Sequence, residues 1–310
     1  MTAGTAFARR TQAPMVAASV AIVVWALGPL FVRGFDVSVP SILFYRMAVA
    51  TPFMIAVAYI AGNGLSWAGL RIALIPGVLF AGSIITSFES YRRTSIANAT
   101  LIQALSPALV LMTAGWVFGE RRTRRQVVCS LVAFSGIALV VVSGGTHSGA
   151  SLSGDAIAGL NLLIWTVYFM HMKHVRSTRD LNSWSLVASI FLVSSCVILP
   201  WAATSSRDLG SMGTKDWVLC ACLVLGPGLL GHGLMTWSQR YLDVTVASLL
   251  SLASAPISTI GAWIVYHQRL RPLQLVGSAI VVGSLALIVV ETSNGELRPA
   301  EPDPVGTEPV

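Results

Sequence analysis

Charge is what this chain of 310 residues has least of. Asp, Glu, Lys and Arg together make up 11% of it, against roughly 25% in an ordinary soluble domain. A soluble fold of this length must cover its surface with polar groups, and here there are too few. Lysine is almost missing, because only Lys173 and Lys215 among the 20 basic residues are lysine. Four cysteines cannot make a disulfide scaffold. The signatures of soluble catalysis are absent as well: no Walker A loop, no nucleophile elbow and no His-Glu-x-x-His. Cys220-x-Cys222 lacks zinc spacing or a second pair, and His171-x-x-His174 lacks a third ligand. No metal and no cofactor are therefore expected, and ATP-driven work by this chain alone is argued against.

What is present is apolar sequence, 55% of the chain by count, which excludes disorder. A membrane-crossing helix needs about 20 mainly apolar residues. Ten segments qualify: 14–32, 40–61, 70–90, 96–118, 126–143, 155–172, 184–203, 217–237, 244–266 and 272–291. Their apolar runs are continuous rather than alternating, which predicts helices and not a barrel. The fold class expected is all-α, a polytopic membrane protein with short connections. Arg9 and Arg10 precede the first span in the manner of a signal peptide. That span is too long and lacks a small-x-small cleavage site, so the pair reads as an orientation signal. The organisation expected is an N-terminal segment 1–13, two helical units 14–143 and 155–291, a linker 144–154, and a disordered acidic tail 292–310 containing four prolines.

The net charge of +7 would suggest nucleic acid in a soluble chain, but here it divides across a bilayer. With the N-terminus inside, 12 basic residues fall in cytoplasmic loops and 7 outside, with Arg46 within a span. The weight lies in 119–125, with four arginines, and in 173–183. Both termini are thus expected in the cytoplasm, with the lipid bilayer as partner and no nucleic acid.

Shifting the sequence by 148 residues lays the fourth and fifth spans over the ninth and tenth. The pairs include Val117/Val265, Arg121/Arg269, Gln126/Gln274, Ser130/Ser278 and Arg92/Arg240. A shift of 140 pairs Trp25 with Trp165 and Arg33 with Lys173. The unit is five helices used twice. Because five is odd, the second copy must enter the membrane with opposite orientation, and inverted repeats accompany alternating access around a midplane site.

These features resemble the drug/metabolite transporter superfamily, specifically the EamA-type permeases with ten spans. The resemblance covers about 14–291. It is carried by Ile22-Val-Val-Trp25-Ala-Leu-Gly28-Pro29, Phe44-Tyr-Arg46, and Ser106-Pro107 through Gly119-Glu120-Arg121 to Gly136. Their counterparts are Ile164-Trp165-Thr-Val-Tyr168 and Ala255-Pro256 through Gln268 to Gly283. One departure is visible, since the Gly-Glu pair at 119–120 becomes His267-Gln268. The resemblance implies an exporter of a small organic metabolite in a prokaryotic inner membrane. The first, third, fourth, sixth, eighth and ninth spans would wall its cavity. The fifth and tenth would lie at the periphery or form a homodimer contact.

Candidate residues follow from the spans. Thr100, Gln103 and Ser106 recur every three residues and map by the 148 shift onto Ser248, Ser251 and Ser254. Each set keeps to one helix face, as interhelical glue or as a cavity wall; the amide of Gln103, costly to bury unpaired, favours the wall. Pro107 and Pro256 then suit kinks, with or without a gating role. Trp25 and Trp165 lie about 16 Å deep at 1.5 Å per residue, away from the interfacial belts. With Tyr168 they suit either stacking on a substrate or helix packing. Three ionisable groups fall within spans. Arg46 and Glu89 either pair with each other, or Glu89 titrates in an outer vestibule. His232, among Gly226, Gly228, Gly231 and Gly233, suits a proton relay or a packing role. The competing class is a membrane-embedded enzyme acting on a lipid-linked substrate, but it needs ionisable residues clustered at one depth. A membrane scaffold or sensor is the third reading, and the loops are too short for a partner-binding domain.

Overall fold

The computed structural model describes residues 3–106, 108–109, 112, 124–144, 150–179, 181–238, 253–268 and 271–296. The ordered elements are α1 (Ala3–Gly34), α2 (Val39–Ala61), α3 (Trp67–Arg93), α4 (Ile96–Gln103), α5 (Arg124–Gly144), α6 (Leu152–Thr178), α7 (Ser183–Ser205) and α8 (Thr214–Leu223). A π-helical segment (Val224–Gly231) carries the chain into α9 (His232–Ser238), and α10 (Ser254–Tyr266) and α11 (Pro272–Glu296) complete it. No strand occurs among the described residues.

Among the described residues, six helical stretches are long and apolar enough to cross a membrane: Ala13–Gly34, Val39–Ala61, Trp67–Arg93, Leu152–Met172, Ser183–Ser205 and Thr214–Met235. Val127–Val142 and Pro272–Leu287 are shorter apolar helices. The first helix extends back to Ala3 and the last forward to Glu296, so helix replaces part of both the expected N-terminal segment and the expected tail.

Local chemistry fixes the helix starts. Ser66 accepts from the Gly69 amide (3.0 Å), Ser151 from the Gly154 amide (3.1 Å), and Asn182 from the Trp184 amide (2.9 Å). Each side chain satisfies a donor that the first helical turn leaves without a partner. Pro40 opens α2, where its missing N–H costs nothing.

Two large apolar cores form among the described residues, with two smaller clusters beside them. One brings α2, α3, α7 and α8 together with the inner face of α6 around Leu43, Met47, Phe80 and Phe191. The other joins α4, α5, α6, α10 and α11 around Leu101, Val140 and Leu285. Gly136 and Gly277 let α5 and α11 meet backbone to backbone. A Cβ on Gly277 would stand 2.8 Å from the Gly136 carbonyl, and one on Gly136 would stand 3.0 Å from that of Gly277. The expected fifth and tenth spans therefore pack on each other within one chain.

At one end of the bundle, called here the Arg33 end, α1 and α3 finish where α2, α4 and α6 begin. Hydrogen bonds from Arg33 to the Tyr91 and Thr94 carbonyls, and from Thr94 to Asp155, hold these termini together. α1 and α6, which carry Trp25 and Trp165, thus run in opposite directions.

Candidate functional site

The membrane interior of this protein contains helix that is not regular. Gly226, Pro227, Gly228 and Gly231 lie in the π-helical segment between α8 and α9, where sparse side chains and a proline weaken the ordinary ladder. Trp25 of α1 meets this segment, and its indole Nε1 donates to the Pro227 carbonyl at 2.9 Å. The contact needs glycine at 231, since a Cβ there would lie 2.4 Å from that same nitrogen. Trp25 is half-buried and packs against Ala21, Ile22 and Met235. His232 begins α9, and its side chain lies outside the described residues.

A second irregularity falls in the fourth and ninth spans. α4 stops at Gln103, and Ala104 and Leu105 form a turn. Ala253 forms a turn immediately before α10. Leu105 and Ala253 are one repeat interval apart, and Ser106 and Ser254 resume helix directly after them. Pro256 consequently sits in the first turn of α10, where a proline is tolerated, and not in mid-helix as a kink. Pro107, Ser248 and Ser251 lie outside the described residues.

Gln103 and Thr100 have different fates at this break. Thr100 Oγ1 turns back to the Ile96 carbonyl at 2.8 Å and is satisfied within its own helix. The Nε2 of Gln103 is buried without a hydrogen-bond partner. Ser258, one turn after Ser254, donates to the Ala26 carbonyl of α1 at 2.7 Å. That serine is glue between helices, whereas the Gln103 amide keeps a donor open.

Trp165 and Tyr168 lie one turn apart on α6 with ring centroids 5.1 Å apart. Tyr168 continues onto Phe80 of α3 at 5.8 Å, and Phe80 onto Phe191 of α7 at 5.5 Å. Trp165 and Tyr168 remain half-buried at the margin of this core. The aromatic ladder ties three helices together and presents its Trp165 end.

The charged groups within the spans do not pair with each other. Glu89 Oε2 takes the Nε of Arg93 at 2.7 Å, one turn along the same helix. Arg46 is only 6% exposed. Its guanidinium carbon lies 5.3 Å from the centre of the Phe88 ring, and its Nε and Nη1 have no hydrogen-bond partner. Arg93 wins Glu89 because an i,i+4 partner needs no close approach of a second helix.

Sequence reasoning did not single out the polar ties at the Arg33 end. Arg33, in the last turn of α1, donates to the Thr94 carbonyl at 2.6 Å. Arg92, in the last turn of α3, donates to the Phe35 carbonyl at 2.6 Å. Each arginine satisfies carbonyls that the other helix leaves open at its C-terminus. Deeper, buried Asp155 accepts from Thr94 Oγ1 (2.6 Å) and Asn98 Nδ2 (3.1 Å), and Asn98 Oδ1 accepts from Gln274 Nε2 (3.3 Å). Further out, Asp216 accepts the Asp36 amide (2.9 Å) and Lys215 pairs with the Asp36 carboxylate (2.8 Å). Asp208 accepts from the Ser38 amide and from the hydroxyls of Ser38, Ser41 and Ser206. Desolvation alone would raise the Asp208 carboxyl, but these bonds outweigh it and hold the group well below the usual carboxylate range. Most of these ties join residues before 144 to residues after 150. The sequence cues were the repeat matches alone, which paired Arg33 with Lys173, Arg92 with Arg240 and Gln274 with Gln126.

Among the described residues no three His, Cys, Asp or Glu side chains gather to hold a metal. Interrupted apolar helices, buried donors without partners and polar ties across the chain's two halves make up the candidate site. The EamA-like transporter family model matches residues 12–142 and again 152–290, and the chain belongs to that family. The pseudopaline exporter CntI of Pseudomonas aeruginosa PAO1 is 24% identical over 246 residues, covering 78% of this chain and 83% of the exporter. The aromatic amino acid exporter YddG of Ancylobacter novellus is 24% identical over 208 residues, covering 64% of this chain and 69% of its own length. An uncharacterized transporter of Bacillus subtilis, YyaM, is 22% identical over 216 residues, 68% of each chain. A solved structure titled only "Crystal structure of protein" shares the fold at a TM-score of 0.65 and 19% identity, over 91% of this chain and 98% of that one.

Proposed function

We propose that this chain exports a small organic metabolite, such as an amino acid or another amphipathic compound. It would do so as a secondary-active or facilitative carrier in a prokaryotic inner membrane. Two inverted five-helix repeats rock about a midplane site, both termini face the cytoplasm, and the Arg33 end faces outward. The matched breaks at Leu105 and Ala253, beside the open amide of Gln103, carry this reading. Broken helices at membrane depth are tolerated where they line a cavity, and carriers place their sites there. The match of one family model to both halves supports the duplication, and the opposed directions of α1 and α6 support the inversion. The exporters named among the relatives support the substrate class.

In this mechanism Gln103, Trp25, Trp165 and Tyr168 contact the cargo. The π-helical segment supplies the deformable element. The polar ties at the Arg33 end hold that side shut and must part for release. Counterflow in proteoliposomes with a pooled metabolite extract tests the proposal. Exchange of small organic compounds is expected; no exchange, with turnover of a lipid-linked substrate instead, would overturn it.

A further inference from the structure

Each aspartate and glutamate whose side chain is described has its partners within the chain. Glu89 is held by Arg93, Asp155 by Thr94 and Asn98, and Asp36 by Lys215. Asp208 and Asp216 are taken up by hydroxyls and backbone amides. Arg46 is the opposite case. It is 6% exposed, sits seven positions into α2, and leaves Nε and Nη1 without any acceptor. At 1.5 Å per residue this is about 10 Å below the end of the helix. Phe88 covers a face of the guanidinium, which steadies the cation but does nothing for its N–H donors.

A guanidinium stays protonated under any ordinary condition. Burying one with no carboxylate beside it and two of its three nitrogens unpaired is a costly arrangement for a membrane helix. Such a group is kept where an anion arrives to complete it, because Arg recognises carboxylates with charge and directed hydrogen bonds together. We propose that Arg46 is the docking point for the anionic group, a carboxylate, of a ligand whose apolar body lies along the neighbouring aromatic side chains. This names the cargo class and rests on the carrier reading above, but its test does not require flux.

Melting of the purified full-length protein in detergent is followed with acetate, hexanoate and 3-phenylpropionate, each against its carboxamide. A carboxylate with an apolar body is expected to raise the melting temperature by a few degrees, and its carboxamide is not. Arg46→Met should abolish the response while the ligand-free variant melts no lower than the parent, since a buried unpaired charge has been removed. Arg46→Lys should keep a weakened response. The proposal is overturned if no carboxylate stabilises the parent, if the carboxamides act equally, or if Arg46→Met keeps the response or melts well below the parent. Arg46-dependent binding in a protein that exchanges no metabolite would refute the carrier reading alone. Exchange without any carboxylate response would refute the Arg46 site alone.

Discussion

The indole nitrogen of Trp25 donates to the Pro227 carbonyl at 2.9 Å, joining α1 to the π-helical segment across 202 residues of sequence. Trp25 therefore does more than fill space at membrane depth: it satisfies a backbone acceptor exactly where regular helix fails, and couples the first half of the chain to the deformable part of the second.

Gly231→Ala tests that coupling with one methyl group. The new Cβ would fall 2.4 Å from Trp25 Nε1, so indole or backbone must move. A lower melting temperature and reduced counterflow are expected. Trp25→Phe, which removes the hydrogen bond and shrinks the ring packed against Ala21, Ile22 and Met235, should cost at least about 1 kcal/mol. Trp25→Ala should abolish flux with folded protein still in the membrane. An unchanged Gly231→Ala protein would show that the indole is not fixed there.

Gln103→Leu removes the buried amide whose Nε2 has no partner. If the amide serves cargo, flux falls at least about tenfold, roughly 1.4 kcal/mol of lost recognition, while the melting temperature holds or rises. A loss of stability with unaltered flux would assign Gln103 to packing. Parallel counterflow and melting curves on the same preparation separate the two.

Asn98→Ala strips Asp155 of its amide donor and Gln274 of its acceptor. Leaving buried polar groups unsatisfied costs about 1–3 kcal/mol. A marked drop in melting temperature is expected, larger than for an exposed substitution such as Arg207→Ala. Equal effects would deny the network a structural role.

Much of this architecture is legible in the sequence. A run of about 20 apolar residues needs no tertiary context to declare itself a span, and α2, α3 and α7 fall within a few residues of their expected limits. The repeat interval of 148 residues aligns Leu105 with Ala253, but continuous spans are expected at both and the breaks are not legible. Pair choices were not legible. Arg46 and Glu89 are both expected toward the outer face, which allows a pairing, but position along a span does not disclose that Arg93 lies one turn from Glu89 on the same face. Asp155 looked like a span boundary, because a carboxylate in a first helical turn is ordinary; only packing against Thr94 and Asn98 makes it a buried junction. The glycines around His232 announced an irregular backbone, while the bond from Trp25 depends on which helix docks there.

Asp208 gives the protein an acid-sensitive contact. Its carboxyl lies well below the usual range in the folded state, whereas the unfolded group titrates near about 3.9. The stabilisation is therefore complete above about pH 4 to 5 and is lost as pH falls toward the folded-state value. The melting temperature should decline on acidification below about pH 4. Asp208→Asn should melt lower at neutral pH and show a shallower acid decline. A variant matching the parent at both pH values would remove Asp208 from the account.

The central claim is that the Arg33 end must open for cargo to pass. Asp36 and Lys215 face each other across it, their side chains exposed and paired at 2.8 Å. In a cysteine-free background, Asp36→Cys and Lys215→Cys joined by a short bis-thiosulfonate should stop counterflow, and reduction of the link should restore it. Each single variant treated with the same reagent should keep exchanging. Undiminished counterflow through the cross-linked protein would contradict alternating access at this end.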